Sequence, residues 1–175
     1  MSRQIFDLEG HVALVTGGNG GLGLAMAKGL VKSGAKIAVW GRNAEKNAQA
    51  VAELKALGGT AAAFVCDVTD AQSSADAFAA TIDHFGKVDS CFANAGGSGV
   101  RGPFHKLSAG DWASTIDLNL QSVINTFQLC VQHWLERSAP GKLIVTSSIA
   151  GIIGIPGGTG ASAFSWSTPA ATRSG

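Results

Sequence analysis

The chain has 175 residues, a formal net charge of +1 and only 14% charged residues, against about 25% in ordinary globular chains. Such a balance excludes the basic footprint of a nucleic-acid binder, and no apolar run reaches the roughly 18 residues of a membrane helix. Glycine fills 24 positions while tyrosine fills none, so these residues offer no phenol for chemistry.

Met1 to Gly10 carries Asp7 and Glu9 without an apolar core, which is not a secretory signal. His11 to Thr16 is a β-branched, apolar run of strand length. It leads into Gly17-Gly-Asn-Gly-Gly-Leu-Gly23, after which Leu24 to Lys32 reads as a helix closed by Ser33-Gly34. Lys36 to Trp40 is a second strand. Asn43 caps a helix with apolar positions Ala44, Ala48, Val51 and Leu54, stopped at Gly58. Ala61 to Cys66 is a third strand. Thr69 with Gln72 reads as a capping box for a helix ending at Gly86, with stripe Ala71, Ala75, Phe78, Ile82 and Phe85. Val88 to Ala93 is a fourth strand. After a glycine-rich loop, Ser108 and Asp111 form another capping box. They open a long helix to Glu136 whose expected buried stripe is Trp112, Ile116, Leu120, Val123, Phe127, Val131 and Trp134. Lys142 to Ser147 is a fifth strand.

Apolar strands alternating with helices predict an α/β fold, a doubly wound, Rossmann-type parallel sheet of about five strands covered on both faces. Residues 1–160 form this expected domain, incomplete. Residues 161–175, rich in Gly, Ser, Thr and Ala, show no helical period and read as an irregular or disordered tail. Cys66, Cys91 and Cys130 are odd in number and scattered, which predicts a reduced, cytoplasmic protein. Cys66 and Cys91 fall in or beside apolar strands and read as core. His11, His84, His105 and His133 lack metal-ligand spacing, and no Gly-x-Ser-x-Gly surrounds Ser148, so neither a metal centre nor a serine hydrolase is expected.

The turn between the first strand and helix has a physical purpose. Gly17 permits a tight turn, Gly21 lets amides approach a diphosphate, and Gly23 lets helix and strand pack closely. The helix N-terminus adds partial positive charge. At the end of the second strand an NAD site usually carries an acid; here the run is Trp40-Gly41-Arg42-Asn43. Arg42 can pair with a 2′-phosphate through its planar fork, which favours NADP over NAD.

With these motifs in order, residues of about 5 to 160 resemble the short-chain dehydrogenase/reductase family. Thr16 to Gly23 matches its TGxxxGxG turn, Asn94-Ala95-Gly96 its NAG motif, and Ser147-Ser148-Ile-Ala-Gly151 its active-site serine stretch. The resemblance implies cofactor contacts at Gly17, Asn19, Gly21, Leu22, Gly23, Arg42, Asp67, Val68, Asn94, Ala95 and Gly96. Asp67 and Val68 would flank adenine. It implies catalytic roles for Asn119 and Ser148, hydride transfer between NADP(H) and a small carbonyl or alcohol, and pairing of the 109–136 helix with a copy or homologue.

The departure from the family is at its YxxxK motif, in which tyrosine is the general acid or base and lysine lowers its pKa. The family's usual offset from Ser148 lands on Ala161 and Ser165. After Lys142 the only ionisable side chain is Arg173. Loss of general acid catalysis alone is worth about 10²–10⁴-fold. The chain is therefore expected to be a truncated or frame-shifted relative with negligible turnover. The alternatives are a non-enzymatic dinucleotide-binding module or an interaction subunit of a full-length homologue. Sequencing the gene and translating every frame decides the frame-shift idea, which fails if none downstream encodes YxxxK.

Overall fold

The computed structural model describes residues 6–151. Its elements alternate: β1 (Val12–Thr16), α1 (Gly21–Lys32), β2 (Lys36–Gly41), α2 (Ala44–Ala56), β3 (Ala61–Val65), α3 (Ala71–Phe85), β4 (Ser90–Ala93), α4 (Ala109–Ile116), α5 (Ser122–Glu136) and β5 (Lys142–Val145). The five strands are all parallel, in the order β3-β2-β1-β4-β5. The order reverses direction beside β1, the switch point at which doubly wound sheets open a crevice at their C-terminal ends. The expected Rossmann-type architecture is what forms. Among the described residues no helix is long and apolar enough to cross a membrane.

Alternation along the strands builds two cores. Ala13, Val15, Ile37 and Val39 pack under α1 and α2 with Ala27, Val31 and Leu54. Leu14, Ala38, Trp40 and Cys91 face the other way, against Phe78 of α3 and Cys130 and Trp134 of α5. Both buried indoles keep their N–H satisfied: Trp40 Nε1 donates to Thr81 Oγ1 at 2.9 Å and Trp134 Nε1 to the Val88 carbonyl at 2.6 Å.

Several local expectations shift. Helix α1 starts at Gly21 rather than Leu24, because the turn glycines join its first bonds, with Leu24 N donating to Gly20 O at 3.1 Å. The cap of α3 is Asp70, not Thr69: its carboxylate accepts from the amides of Gln72 and Ser73, while Thr69 donates to Asp67. In α2 the buried residues are Asn47, Ala50 and Leu54: of the expected apolar stripe Leu54 is buried, Val51 is half-buried, and Ala44 and Ala48 are exposed. The Ser108–Asp111 capping box is present in full.

The long helix is divided by a π-turn over Asp117–Gln121. The buried positions lie one residue before the expected ones on both sides of this turn, from Thr115 to His133, so the offset is already present before the turn and continues after it. Of the seven expected stripe residues only Val123 and Trp134 are buried, and Val131 is exposed. The buried face instead carries Thr115, Asn119, Ser122, Thr126, Cys130 and His133. Its hydroxyls are spent within the helix: Thr115 donates to Asp111 O at 2.8 Å, Ser122 to Leu118 O at 2.6 Å and Thr126 to Ser122 O at 2.8 Å. Small residues with internally satisfied hydroxyls let the helix lie close to the sheet.

Candidate active site

The turn from β1 to α1 leaves amides without side-chain competition. The N-cap of α1 is Gly20, which makes no side-chain cap, and the first turn holds no acid. Gly17 and Gly21 lie at positive φ, +64° and +50°. Gly23 is excluded from carrying a side chain by packing: a Cβ there would stand 2.6 Å from Asn94 Nδ2 and 2.8 Å from the Gly17 carbonyl carbon. Gly21 and Leu22 are exposed at the helix mouth. These features fit a diphosphate, which wants backbone N–H donors and close approach.

The floor beside this turn is tied by Asn94. Thr16 Oγ1 accepts from the amides of Asn94 and Ala95 at 3.0 and 2.9 Å. Asn94 Nδ2 reaches the Thr16 carbonyl at 3.2 Å, and its Oδ1 accepts from Thr146 Oγ1 at 3.1 Å. One carboxamide therefore links the ends of β1 and β4 to the residue that follows β5.

At the ends of β2 and β3 stand Arg42 and Asp67. Arg42 is exposed. Asp67 accepts from the hydroxyl and amide of Thr69 at 2.7 and 3.0 Å. Those two bonds hold its carboxyl below the ordinary value; partial burial opposes them, and the nearby Arg42 cation reinforces them. Val68 is buried. Asn19 lies over the end of β2, with its Nδ2 donating to Asn47 Oδ1 at 2.7 Å. Asn47 was not visible as a site residue in the sequence. The only hint was a polar residue at a position where α2 turns inward.

Asn119 sits in the π-turn and is buried. Its Nδ2 donates to Thr115 O at 2.9 Å, and its Oδ1 accepts from Gly97 N at 2.9 Å. Gly96 has no room for a Cβ, which would lie 2.8 Å from that oxygen. Asn119 thus fastens the loop after β4 to the long helix. Ser148, exposed beyond β5, accepts from Ala150 N at 3.2 Å. Ala161 and Ser165, the positions assigned to the missing tyrosine and lysine, lie outside the described residues.

The structure brings the glycine turn, Asn94, Ala95, Gly96 and Asn119 into one connected network at the crevice. It places Arg42 beside Asp67 at the adjoining strand ends. No group of three or more histidine, cysteine or acidic residues among the described residues could hold a metal.

Comparison with known proteins agrees with this geometry. The family described as short chain dehydrogenase matches residues 11–165. Gluconate 5-dehydrogenase of Gluconobacter oxydans is 35% identical over 154 residues, covering 88% of this chain and 59% of that protein. The C alpha-dehydrogenase of a Sphingobium species is 35% identical over 148 residues, covering 85% and 48%. The chain spans about half to two thirds of the length of such relatives. Among solved structures, NAD+-bound xylitol dehydrogenase superposes with a TM-score of 0.86 at 29% identity, covering 91% of this chain and 61% of that one. An actinorhodin polyketide ketoreductase variant with NADPH gives 0.84 at 30% identity, covering 89% and 60%. A parallel sheet with its switch point beside β1, a glycine turn leading into an uncapped helix, an Asn94 clamp and a match along most of the sequence converge: the chain belongs to the short chain dehydrogenase family.

Proposed function

We propose that this chain binds a nicotinamide dinucleotide, NADP(H) in preference to NAD(H), in an oxidoreductase site that it does not complete. The observation that carries the reading is the uncapped N-terminus of α1 facing a turn in which Gly23 has no space for a side chain. The amides from Gly17 to Gly23, with Asn19 and Leu22 at the mouth, would hold the diphosphate. Arg42 would take the 2′-phosphate, Asp67 and Val68 would flank adenine, and Asn94, Ala95 and Gly96 would form the floor under the nicotinamide half. When bound, the cofactor exchanges a hydride with a carbonyl or alcohol carbon of a small substrate.

What this chain contributes to that exchange is orientation. The Ser148 hydroxyl can donate to a substrate oxygen, and Asn119 holds the loop at Gly97 in place. Hydride delivery to a carbonyl leaves an alkoxide that needs a proton. Serine and asparagine cannot release one at neutral pH with useful driving force, and these 175 residues contain no tyrosine. The expected turnover of this chain is negligible, and its role is that of a dinucleotide-binding module located in the cytoplasm.

Titration of folded, sequence-verified protein with NADPH and NADH, followed by nicotinamide fluorescence, tests the reading. Saturable binding with NADPH the tighter ligand, and no ketone-dependent oxidation, is the expected result. Folded protein that binds neither dinucleotide overturns it, and sustained ketone turnover overturns the inactive half.

A second reading has its own observation. Ile124, Val131 and Leu135 of α5 are exposed on one helical face, where Phe127 joins them to line a shallow apolar cleft. An apolar face of this kind fits an interaction subunit, pairing through residues 109–136 with a second copy or a longer homologue.

A further inference from the structure

The end of β2 holds a relay of two amides whose direction is set by the main chain. Asn47 is buried in the second turn of α2. Its Nδ2 donates to the Gly41 carbonyl at 2.8 Å and lies 3.4 Å from the Phe64 carbonyl. Carbonyls only accept, so Asn47 must turn its NH₂ toward them and its oxygen away. That oxygen meets Asn19, which must answer with its own NH₂, and does so at 2.7 Å. A carboxamide that commits its nitrogen to one side presents its oxygen to the other. Two strand carbonyls therefore dictate, through Asn47, which way the half-buried Asn19 points.

Gly41 is the condition for this arrangement. A Cβ at residue 41 would intrude between the two amides, 2.5 Å from Asn47 Oδ1 and closer still to Asn19 Nδ2. Asn19 belongs to the phosphate turn after β1, and β1 pairs with β2 through Thr16 and Trp40. The relay thus lies between the turn that receives a diphosphate and the strand end at which adenosine ribose is read. An acid at residue 41, which would accept from a ribose hydroxyl directly, has no room.

Resting on the cofactor-binding reading above, we infer that Asn47 is a positioning residue that fixes Asn19 as the acceptor for a ribose hydroxyl of the adenosine half. The acceptor suits a hydroxyl and not a phosphate, since a phosphate oxygen has no proton to give at neutral pH. Arg42 and Asn19 then divide the ribose between them, the cation for a 2′-phosphate and the amide oxygen for a hydroxyl.

The test is calorimetric titration of the full chain with NAD+ and with analogues lacking the adenosine 2′- or 3′-hydroxyl. Wild type is expected to lose about two- to tenfold in affinity for one of the two analogues, the range of a single neutral hydrogen bond. Asn19→Ala and Asn47→Ala should each weaken intact NAD+ by a similar factor and bind that analogue no worse than NAD+. The double variant should bind like Asn19→Ala alone, whereas a purely structural Asn47 would add its own loss. Asn47→Ala that still discriminates as wild type does, or additive losses, overturns the inference. Should Asn47→Ala fail to fold, Asn19→Ala decides: unchanged discrimination there overturns it equally. Wild type that binds NAD+ but ignores both deletions sinks this inference alone, while folded wild type that binds no dinucleotide sinks the parent reading and this one with it.

Discussion

Asn94 is bonded to Thr16 twice, once from its backbone amide to the threonine hydroxyl and once from its side chain to the threonine carbonyl. The hydroxyl also takes the amide of Ala95. Thr16 is buried, so those amides have no ready substitute in water. Replacing it with valine keeps the shape and orphans both donors. An unsatisfied buried donor costs about 1–3 kcal/mol. Thr16→Val should therefore lower unfolding stability by at least that much for the pair, read by urea denaturation, and loosen the crevice on which dinucleotide affinity depends.

Gly23→Ala places a methyl against Asn94 Nδ2 and the Gly17 carbonyl. Overpacking of this kind costs about 1–3 kcal/mol. The displaced partners are the phosphate turn and its clamp, so binding should suffer beyond stability. The expected outcome is a lower midpoint of thermal unfolding together with a loss of the thermal shift produced by NADPH. Alanine at Gly29, where a Cβ meets nothing within 4 Å, is the matched control and should leave the shift intact.

Stability should decline on mild acidification. Burial pushes the His11 imidazole below its ordinary value of 6.5, with Asp89 opposing and Lys87 adding to the shift. Burial likewise lowers His133, with Arg137 adding to it and Glu136 and Asp89 opposing. A base whose folded pKa lies below its unfolded one binds its proton more readily when unfolded. Stability is then fully present above pH 6.5 and falls as pH drops through 6.5 toward the folded values. Asp67, held down first by Thr69, acts lower: its contribution is present above 3.8 and is lost as pH falls from there through its folded value. Denaturation midpoints measured between pH 8 and pH 5 check the histidine step, and His11→Asn should flatten part of it.

The side chains of the capping box at Ser108 bond only within Ser108 and Asp111, at the exposed start of α4. Ser108→Ala removes the acceptor for Asp111 N at 3.1 Å and should cost about 1 kcal/mol. Dinucleotide affinity should stay within error, as measured by the same fluorescence titration.

The exposed face of α5 is testable by charge. Val131→Glu with Leu135→Glu adds two acids to residues that are already solvent-facing. Helix content should be unchanged by circular dichroism. If α5 pairs with another chain, sedimentation velocity should show the association of wild type lost in the double variant.

Much of this protein was legible from local pattern. Five apolar runs separated by capped helices determine a parallel sheet, because strands buried on both faces must be apolar throughout and crossovers must be long. The glycine turn is equally local: its requirements of positive φ at Gly17 and close packing at Gly23 fall within eight residues of chain. What tertiary structure decided is where polar residues go when the core receives them. The long helix turns Thr115, Asn119, Ser122 and Thr126 inward, where each side chain finds a carbonyl or amide partner. Asn47 belongs to the same class. Its partners, Gly41, Phe64 and Asn19, come from β2, β3 and the first turn, and only the folded sheet brings Phe64 and Asn19, 17 and 28 residues away along the chain, within reach of one amide.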